Sequence, residues 1–240
     1  MKNTVVIIPT YNEIENIEAI IRAVFSQSDH INILIVDDNS PDLTAEKVKE
    51  LQSEFSNRLF LQVRKEKSGL GTAYIHGFKW CLNKTYQYIF EMDADFSHNP
   101  TDLIKLYNAC HVDGADLSIG SRYVTGVNVV NWPMNRVLMS YLASKYVRLI
   151  TGMKIHDTTA GFVCYKRGTL EALDLNKIKF IGYAFQIEMK FKAYIKKLKL
   201  VEVPVIFTDR TKGVSKLSSG IISEAIFGVI SMKMNSIFKK

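Results

Sequence analysis

The chain has 240 residues, 47% of them hydrophobic and 23% charged, which excludes a disordered or fibrous protein and fits one large or two small domains. The formal net charge of +7 favours anionic partners, namely phosphates, nucleotides, acidic lipids or nucleic acid. A moderately basic surface without a specific partner is the alternative that this charge leaves open.

The amino-terminal apolar run, Val5–Ile8, is broken at Pro9 and is too short for a secretion signal. No uninterrupted apolar stretch is long enough to predict a transmembrane helix, so we expect a chain that is soluble or lies on a surface. The cysteines, Cys81, Cys110 and Cys164, are odd in number and lack metal-ligand spacing. They indicate reduced thiols and a cytosolic setting.

The first half of the chain alternates between strand-like and helix-like segments. This alternation predicts right-handed crossovers that build a mostly parallel sheet, and the continuous apolar strands fit a sheet with helices on both faces. Ser40-Pro41 and Asn99-Pro100 each predict a helix start, with a capping side chain before a proline. The predicted strands are Val5–Ile8, Ile31–Val36, Leu59–Val63, Tyr88–Met92 and Ala115–Ile119, and the predicted helices are Ile14–Phe25, Pro41–Phe55, Thr72–Asn83 and Pro100–Cys110.

After Arg122 the pattern changes, although no linker or repeat separates the two halves. We predict one α/β domain with a carboxyl-terminal subregion. The predicted elements are a loop at Gly126–Trp132, a helix at Met134–Ile150, a short strand at Phe162–Tyr165, a helix at Ala184–Lys196 and a strand at Val201–Phe207.

Residues 219–240 are predicted to form an amphipathic helix with a wide apolar stripe. A helix packed on the domain core and a helix at a membrane interface both show this pattern, so both remain open. The stripe consists of Ile221, Ile222, Ala225, Ile226, Val229, Ile230, Met234 and Phe238, and Glu224, Ser231, Asn235 and Lys239 lie opposite.

Polar sequences follow four of the predicted strands: PTYNE, VDDNS, EMDADFS and GSRY. Ligands of open parallel sheets bind outside the carboxyl ends of the strands, so these residues are expected to form one site. A single DxD is commonly a turn or a helix cap, but four polar strand ends on one edge predict a binding site.

Asp93 and Asp95 place two carboxylates close together, where both ionise readily only beside a cation. Hard oxygen ligands suit Mg²⁺ or Mn²⁺, and Mg²⁺ usually completes its shell with water and substrate phosphates. The sequence therefore predicts a nucleotide diphosphate ligand. Gly69 and Gly71 begin a helix, where backbone N–H groups are expected to approach a phosphate or sugar.

Seven segments together resemble the family 2 glycosyltransferases, and within them the polyprenyl-phosphate (dolichyl-phosphate) mannose synthases. The resemblance covers about residues 4 to 218 and implies an A-type glycosyltransferase fold, with residues 1–218 as the catalytic domain. It also implies a nucleotide-sugar donor, a divalent metal and inversion at the anomeric carbon. The segments are VVIIPTYNEIENI, ILIVDDNSPDLT, GLGTAYIHG, DADFSHNP, GSRY, GYAFQIEM and VPVIFTDRTKGVSKL.

The resemblance also implies roles for individual residues. The nucleotide base and ribose would contact Pro9, Tyr11, Glu13, Val36 and Asp38. The diphosphate would be held through the metal by Asp93, Ala94 and Asp95, with Asp95 as the direct ligand. Phosphates of donor and acceptor would be bound by Arg122, Arg210 and Lys216, with Arg136 joining Arg122 at the acceptor phosphate.

Several of these assignments have structural alternatives. In these alternatives, Arg122 neutralises Asp93 and Arg136 is a solvated residue on its helix. His76 and His98 flank the motifs without a partner pattern and are predicted to be structural. At Ser97 the chain departs from relatives that place a longer metal-binding side chain there.

The predicted function is inverting transfer of a hexosyl unit, mannose from GDP-mannose, to a polyprenyl phosphate at the cytosolic face of a membrane. The implied partners are the nucleotide sugar, the lipid phosphate, the membrane surface and a membrane partner subunit. A family 2 enzyme with another nucleotide sugar, such as UDP-glucose, or with a saccharide acceptor is the alternative, as is a nucleotide-sugar-binding protein without turnover. Nucleic-acid binding is not expected, because no interleaved basic and aromatic motif is present.

Overall fold

A computed structural model of the protein describes residues 1–210 and 219–238. The described strands are β1 (Thr4–Thr10), β2 (Ile31–Asp37), β3 (Leu59–Val63), β4 (Tyr88–Glu91), β5 (Leu117–Ser121), β6 (Val129–Val130), β7 (Val163–Lys166), β8 (Leu200–Pro204) and β9 (Phe207–Thr208). The described α-helices are α1 (Ile17–Phe25), α2 (Thr44–Glu54), α3 (Leu70–Leu82), α4 (Leu103–His111), α5 (Met134–Thr151), α6 (Arg167–Ala172), α7 (Tyr183–Ile195) and α8 (Ser219–Phe238).

Seven strands form the central sheet in the order β3-β2-β1-β4-β7-β5-β8. All neighbours are parallel except β7, which runs antiparallel between β4 and β5. Thr10 at the end of β1 pairs with Asp37 at the end of β2, so the two polar loops that follow lie side by side. A second, two-stranded sheet pairs β6 with β9.

The sheet is covered on both faces, as its β-branched and continuous apolar strands require. One core cluster contains Val6 and Ile8 of β1 with the buried faces of α1, α2 and α4. The other contains Val5 and Ile7 with buried residues of α3, α5, α7 and α8. The prediction of a mostly parallel sheet with helices on both faces is confirmed.

Two differences from the predicted elements have identifiable reasons, and one predicted cap is confirmed. The helix expected from Pro41 begins at Thr44, because Leu43 before it has a left-handed backbone. Asn99 does cap a helical turn, since its side chain accepts a hydrogen bond from the N–H of Thr101. The strand expected at Val201–Phe207 is two strands, because β9 leaves the central sheet to pair with β6. The short helix α6 was not predicted.

Helix α8 packs against α7 and α5. Val229 and Met232 are buried there, whereas Phe227, Ile230 and Met234 are exposed. Of the predicted stripe residues whose side chains the structure describes, Val229 is therefore in the core, whereas Ile230 and Met234 lie on the surface. Among the described residues, no helix combines the length and apolar character needed to cross a membrane.

Candidate active site

The carboxyl ends of β1 and β2 are joined by Asp37. Its carboxylate accepts hydrogen bonds from the hydroxyl groups of Thr10 (2.7 Å) and Ser40 (2.6 Å) and from the backbone N–H of Ser40 (2.8 Å). Both strands then turn through an asparagine with a left-handed backbone, Asn12 and Asn39, each with φ of 56°. Asparagine tolerates this conformation better than most residues do. The first aspartate of DDNS is therefore structural.

Asp38 forms a two-point ion pair with Arg64, in which Nε–Oδ1 is 2.6 Å and Nη2–Oδ2 is 2.7 Å. Arg64 also donates from Nη1 to the hydroxyl of Thr72 in α3 at 2.7 Å. Both charges are largely buried, so removal of either one would leave the other uncompensated. A role of Asp38 in donor binding stays a prediction. Sequence reasoning missed Arg64, which fixes the Asp38 carboxylate.

The other residues predicted for the nucleotide base and ribose differ in exposure. Pro9 and Tyr11 are half-buried, Glu13 is buried, and Val36 is wholly buried in the core. The ammonium group of Lys67 lies 4.5 Å from the ring centre of Tyr11, which adds a cation to this loop cluster.

Asp93 and Asp95 follow β4 on a sharp turn. Phe96 has a left-handed backbone with φ of 60°, which is rare for a large side chain. The N–H of Ser97 donates to Asp95 Oδ1 at 3.0 Å, and Asp95 Oδ2 lies 2.9 Å from the guanidinium of Arg210. The cationic partner of these crowded carboxylates is therefore Arg210.

The two carboxylates have opposite pKa shifts. Burial and the negative charge of Asp95 raise the pKa of Asp93 above its usual value. Burial acts the same way on Asp95, but hydrogen bonds from Ser97 and the charge of Arg210 lower the pKa of Asp95 below its usual value. Ala94 between them is buried. A further positive charge beside Asp93 would stabilise both ionised forms.

Among residues 1–210 and 219–238, the His, Cys, Asp and Glu side chains form no group of three or more that could hold a metal ion. Two carboxylates and substrate phosphates remain a suitable set for Mg²⁺, which often takes only one or two protein ligands.

His98 lies buried next to these carboxylates. Its Nδ1 accepts a hydrogen bond from the N–H of Asp93 at 3.2 Å, so Nε2 carries the proton, and its ring stacks on Phe162 at 4.9 Å. Burial lowers the pKa of His98 to about 4. A buried neutral imidazole that orders the turn agrees with the predicted structural role.

Arg122, at the end of β5, pairs with Asp157 and not with Asp93. Its Nε and Nη2 each lie 2.7 Å from the Asp157 carboxylate, and its backbone N–H donates to the same carboxylate at 3.0 Å. The alternative in which Arg122 neutralises Asp93 is therefore wrong. The guanidinium carbon also lies 5.5 Å from the ring centres of Trp132 and Phe207.

Arg136 reaches the same aromatic group from the first turn of α5. Its guanidinium carbon lies 4.1 Å from the ring centre of Trp132, and its Nη1 lies 2.8 Å from Asp209. The alternative of a merely solvated helix residue is therefore wrong. The ring of Phe207 contacts those of both Trp132 and His98, which connects the arginine pair to the Asp93–Asp95 turn.

Lys216 and Gly71 are the remaining residues that were predicted to contact a phosphate. Lys216 lies outside the described residues. The backbone N–H of Gly71 donates to the carbonyl of Ile181 at 2.8 Å, and an added Cβ at Gly71 would lie 2.8 Å from the ring of Phe185. The expectation that Gly71 offers its N–H to a phosphate is wrong, because this N–H is already hydrogen-bonded to Ile181. The glycine instead permits close packing of α3 on α7.

Sequence reasoning missed the carboxylates Asp157 and Asp209, which lie in the segments HDTTAGF and TDR. Asp209 directly precedes the predicted Arg210, which was its only local signal. Asp157 has no neighbouring motif, and its partner lies 35 positions away.

A mostly parallel sheet with acids and arginines at its carboxyl edge defines an α/β protein with a strand-end binding site. Residues 5–174 match the family model described as glycosyl transferase family 2, and the chain belongs to this family. It is therefore a glycosyltransferase.

Curated relatives are similar over almost the whole chain. A polyprenol monophosphomannose synthase of Mycolicibacterium smegmatis is 46% identical over 95% of this chain and 86% of its own length. An undecaprenyl-phosphate mannosyltransferase of Micrococcus luteus is 43% identical over 93% of this chain and 90% of its own. A dolichol-phosphate mannosyltransferase of Pyrococcus furiosus is 38% identical over 91% of this chain and 60% of its own.

The fold is shared with a solved glucosyl-3-phosphoglycerate synthase of Mycobacterium tuberculosis. The TM-score is 0.70 over 98% of this chain and 80% of that one, at 15% identity. That structure contains Mn²⁺, UDP and glucosyl-3-phosphoglycerate. At this identity the likeness concerns the fold, and it confirms the expected A-type glycosyltransferase architecture.

Proposed function

We propose that the protein transfers a mannosyl unit from GDP-mannose to a polyprenyl phosphate at the cytosolic face of a membrane. The observation that carries the proposal is the placing of Arg122 and Arg136 against the ring of Trp132. In the proposal these two cations bind the acceptor phosphate. Arg136 pairs with Asp209, the neighbour of Arg210 in the chain, and Arg210 in turn pairs with Asp95. The relatives that are 43% and 46% identical bear names of polyprenyl-phosphate mannosyl transfer, which supports the same acceptor class.

The proposed reaction is a single displacement. A phosphate oxygen of the lipid, already ionised at neutral pH, attacks the anomeric carbon without needing a general base. The new bond between that oxygen and the anomeric carbon forms as the bond to the nucleoside diphosphate breaks, which inverts the configuration. Arg122 and Arg136 align the attacking phosphate, and Arg210 stabilises the charge that develops on the departing diphosphate.

Asp93 and Asp95 suit a divalent cation. Burial and the charge of Asp95 raise the pKa of Asp93, and a nearby cation would offset both effects. In our proposal, Asp95 and Asp93 would hold Mg²⁺ or Mn²⁺ together with donor phosphates, and the ion would supply additional neutralisation of the diphosphate charge.

Membrane contact is proposed through α5, the helix that carries Arg136. This helix exposes apolar side chains, with Met134 at 70% and Leu149 at 83%, beside the basic Lys145 and Arg148. Apolar side chains mixed with cations suit an anionic membrane surface, where the lipid phosphate is found. The exposed apolar residues of α5 are Met134, Leu138, Met139, Leu142 and Leu149.

The activity test uses a panel of radiolabelled nucleotide sugars with polyprenyl phosphates, followed by organic extraction. We expect label in the organic phase with GDP-mannose and a polyprenyl phosphate, and little with UDP-glucose. Transfer to a saccharide, or from another donor, would replace the proposal with the corresponding family 2 activity. Absence of transfer despite nucleotide binding would favour a binding protein without turnover.

Donor binding can be measured separately by calorimetry with GDP. If Asp38 contacts the nucleotide, Asp38→Asn should weaken binding roughly tenfold or more, the cost of one charged hydrogen bond. Arg64→Met is the control, since it removes the partner of Asp38 without removing the carboxylate. Equal loss in both variants would mean that the ion pair, and not Asp38 itself, is what the nucleotide site requires.

The membrane test is flotation with vesicles that contain anionic phospholipid. Leu142→Asp should reduce flotation and leave GDP binding unchanged. Val112→Asp is the matched control, because Val112 is 71% exposed at the end of α4, on the other face of the sheet. Equal flotation of the two variants and the unaltered protein would reject α5 as the contact.

A further inference from the structure

The carboxylate of Asp157 accepts three hydrogen bonds from Arg122. Asp157 lies in the connection between α5 and β7, and its side chain has no solvent exposure. Its carboxylate accepts from the backbone N–H, Nε and Nη2 of Arg122 at 3.0, 2.7 and 2.7 Å. Nη2 also donates to the hydroxyl of Thr159 at 2.9 Å. The Nε–Nη2 edge of the guanidinium is therefore fixed, and Nη1 lies at the other edge.

A second carboxylate, that of Glu202 in β8, holds Asp157 in place, and its side chain is only 7% exposed. Its Oε1 accepts from the backbone N–H of Asp157 at 2.8 Å and from the hydroxyl of Ser121 at 2.7 Å. Its Oε2 accepts from the backbone N–H of His156 at 2.7 Å and lies 2.8 Å from His156 Nδ1. Glu202 thus ties the connection that carries Asp157 to the end of β5, where Arg122 begins.

The pKa shift of Asp157 and the burial of both side chains indicate that the Arg122–Asp157 ion pair is permanent. Burial alone would raise the pKa of Asp157, but the charge and hydrogen bonds of Arg122 lower it below the usual value. Arg122 is itself largely buried, against the rings of Tyr123, Trp132 and Phe207 at 5.3 to 5.5 Å. An exposed arginine would lose side-chain rotamer entropy when it binds a phosphate. Here that ordering is already completed by folding.

We propose that Asp157, supported by Glu202, is a positioning residue for sugar transfer: it holds the guanidinium of Arg122 in the orientation that the acceptor phosphate requires. The inference rests on the proposed function, because it takes the acceptor to be a phosphate. Asp157 acts through Arg122, whose geometry sets the alignment of the attacking oxygen. Misplacement by about 1 Å at such a site lowers rate by up to roughly a hundredfold.

The test is a double-mutant cycle in the full chain between Asp157→Asn and Arg122→Gln, with GDP-mannose as donor and a short polyprenyl phosphate as acceptor. Asp157→Asn should lower kcat/KM for the acceptor about ten- to hundredfold and leave the dissociation constant for GDP unchanged. Added to Arg122→Gln, it should cause no further loss, because its effect passes through Arg122. Additive losses, or equal losses in donor binding, would overturn the proposal.

A milder pair of variants protects the test against misfolding. Thr159→Val removes one acceptor from Arg122 without a change of charge and should lower acceptor kcat/KM several-fold. Thr169→Val is the matched control, since its hydroxyl donates to the Asp116 carbonyl at 2.7 Å near the opposite edge of the sheet. Thr169→Val should alter the melting temperature only. Equal acceptor kinetics in the two variants would count against positioning of Arg122.

Failure of this inference and failure of the proposed function give different results. If the unaltered protein does not transfer sugar to any polyprenyl phosphate, the proposed function fails. If it does, and Asp157→Asn retains normal acceptor kinetics with a lowered melting temperature, then Asp157 only neutralises a buried charge.

Discussion

Replacement of Arg136 by Ala should weaken use of the lipid phosphate far more than donor binding. The protein should remain folded, because the Arg136–Asp209 pair is about a third exposed and such pairs contribute only about 0–1 kcal/mol. The contact with Trp132 at 4.1 Å adds roughly 0.5–1 kcal/mol. Together these are a small part of the stability of a typical domain.

The catalytic effect should be larger. A charge-assisted hydrogen bond to a phosphate contributes about 1.5–3 kcal/mol, which corresponds to a roughly ten- to 150-fold loss in kcat/KM for the acceptor. Arg136→Lys should recover only part of this loss, since lysine keeps the charge but lacks the planar fork and the stacking surface.

The assay is steady-state kinetics with each substrate varied, together with equilibrium binding of GDP. Arg22→Ala is the control, because it removes an arginine from an exposed ion pair with Glu54, on the face of the sheet that does not carry α5. Unchanged acceptor kinetics in Arg136→Ala would refute the assignment and make a saccharide acceptor the better hypothesis. A parallel loss of GDP affinity would place Arg136 at the donor instead.

Turnover should fall to background in excess EDTA and return with Mg²⁺ or Mn²⁺, and Asp95→Ala should nearly abolish it; full turnover in EDTA would reject the metal. The lowered pKa of Asp157 means that its ionised form stabilises the fold above the unfolded pKa, about 3.8, and that this contribution is lost as pH falls through the folded pKa. The difference in melting temperature between the unaltered protein and Asp157→Asn should therefore narrow from pH 5 to pH 3, and a constant difference would contradict the linkage. Gly71→Ala should lose about 1–3 kcal/mol of unfolding free energy through contact with α7, whereas Gly168→Ala, with nothing within 4 Å, should be neutral or slightly stabilising; equal melting temperatures would contradict this.

The fold was predictable because its information is local. Apolar runs, helical periodicity and short connections determine a crossover sheet, and the crossovers bring the polar strand ends together. The errors arose where tertiary contacts overrode local signals. Ser40 was expected to cap a helix, but its N–H and hydroxyl donate to Asp37 instead. The end of the predicted strand Val201–Phe207 separated because Phe207 pairs with Val129, far away in sequence.

The site was predictable only in part for the same reason. Residues such as Asp95 and Arg122 follow strands and carry recognisable motifs, so their position at the sheet edge could be expected. Their partners could not, since ion pairs join residues that are distant in the chain. Asp157 lies 35 positions from Arg122, and Asp209 lies 73 positions from Arg136. Nothing in the spacing of these acids marks them as partners.

Burial divides the arginine–carboxylate pairs of the site into two kinds. Arg122 and Asp157 are 10% and 0% exposed, so this pair is permanent, because separating it would leave a buried charge uncompensated. Arg210 is 27% exposed, but its partner Asp95 is only 7% exposed, so this pair also resists separation unless another cation replaces Arg210. Arg136 and Asp209 are 32% and 26% exposed, so Arg136 can exchange its carboxylate for a substrate phosphate at small cost. Fixed and exchangeable cations suit different tasks. In the proposed reaction, Arg122 sets the geometry before substrate arrives, whereas Arg136 responds to the charge that the acceptor brings.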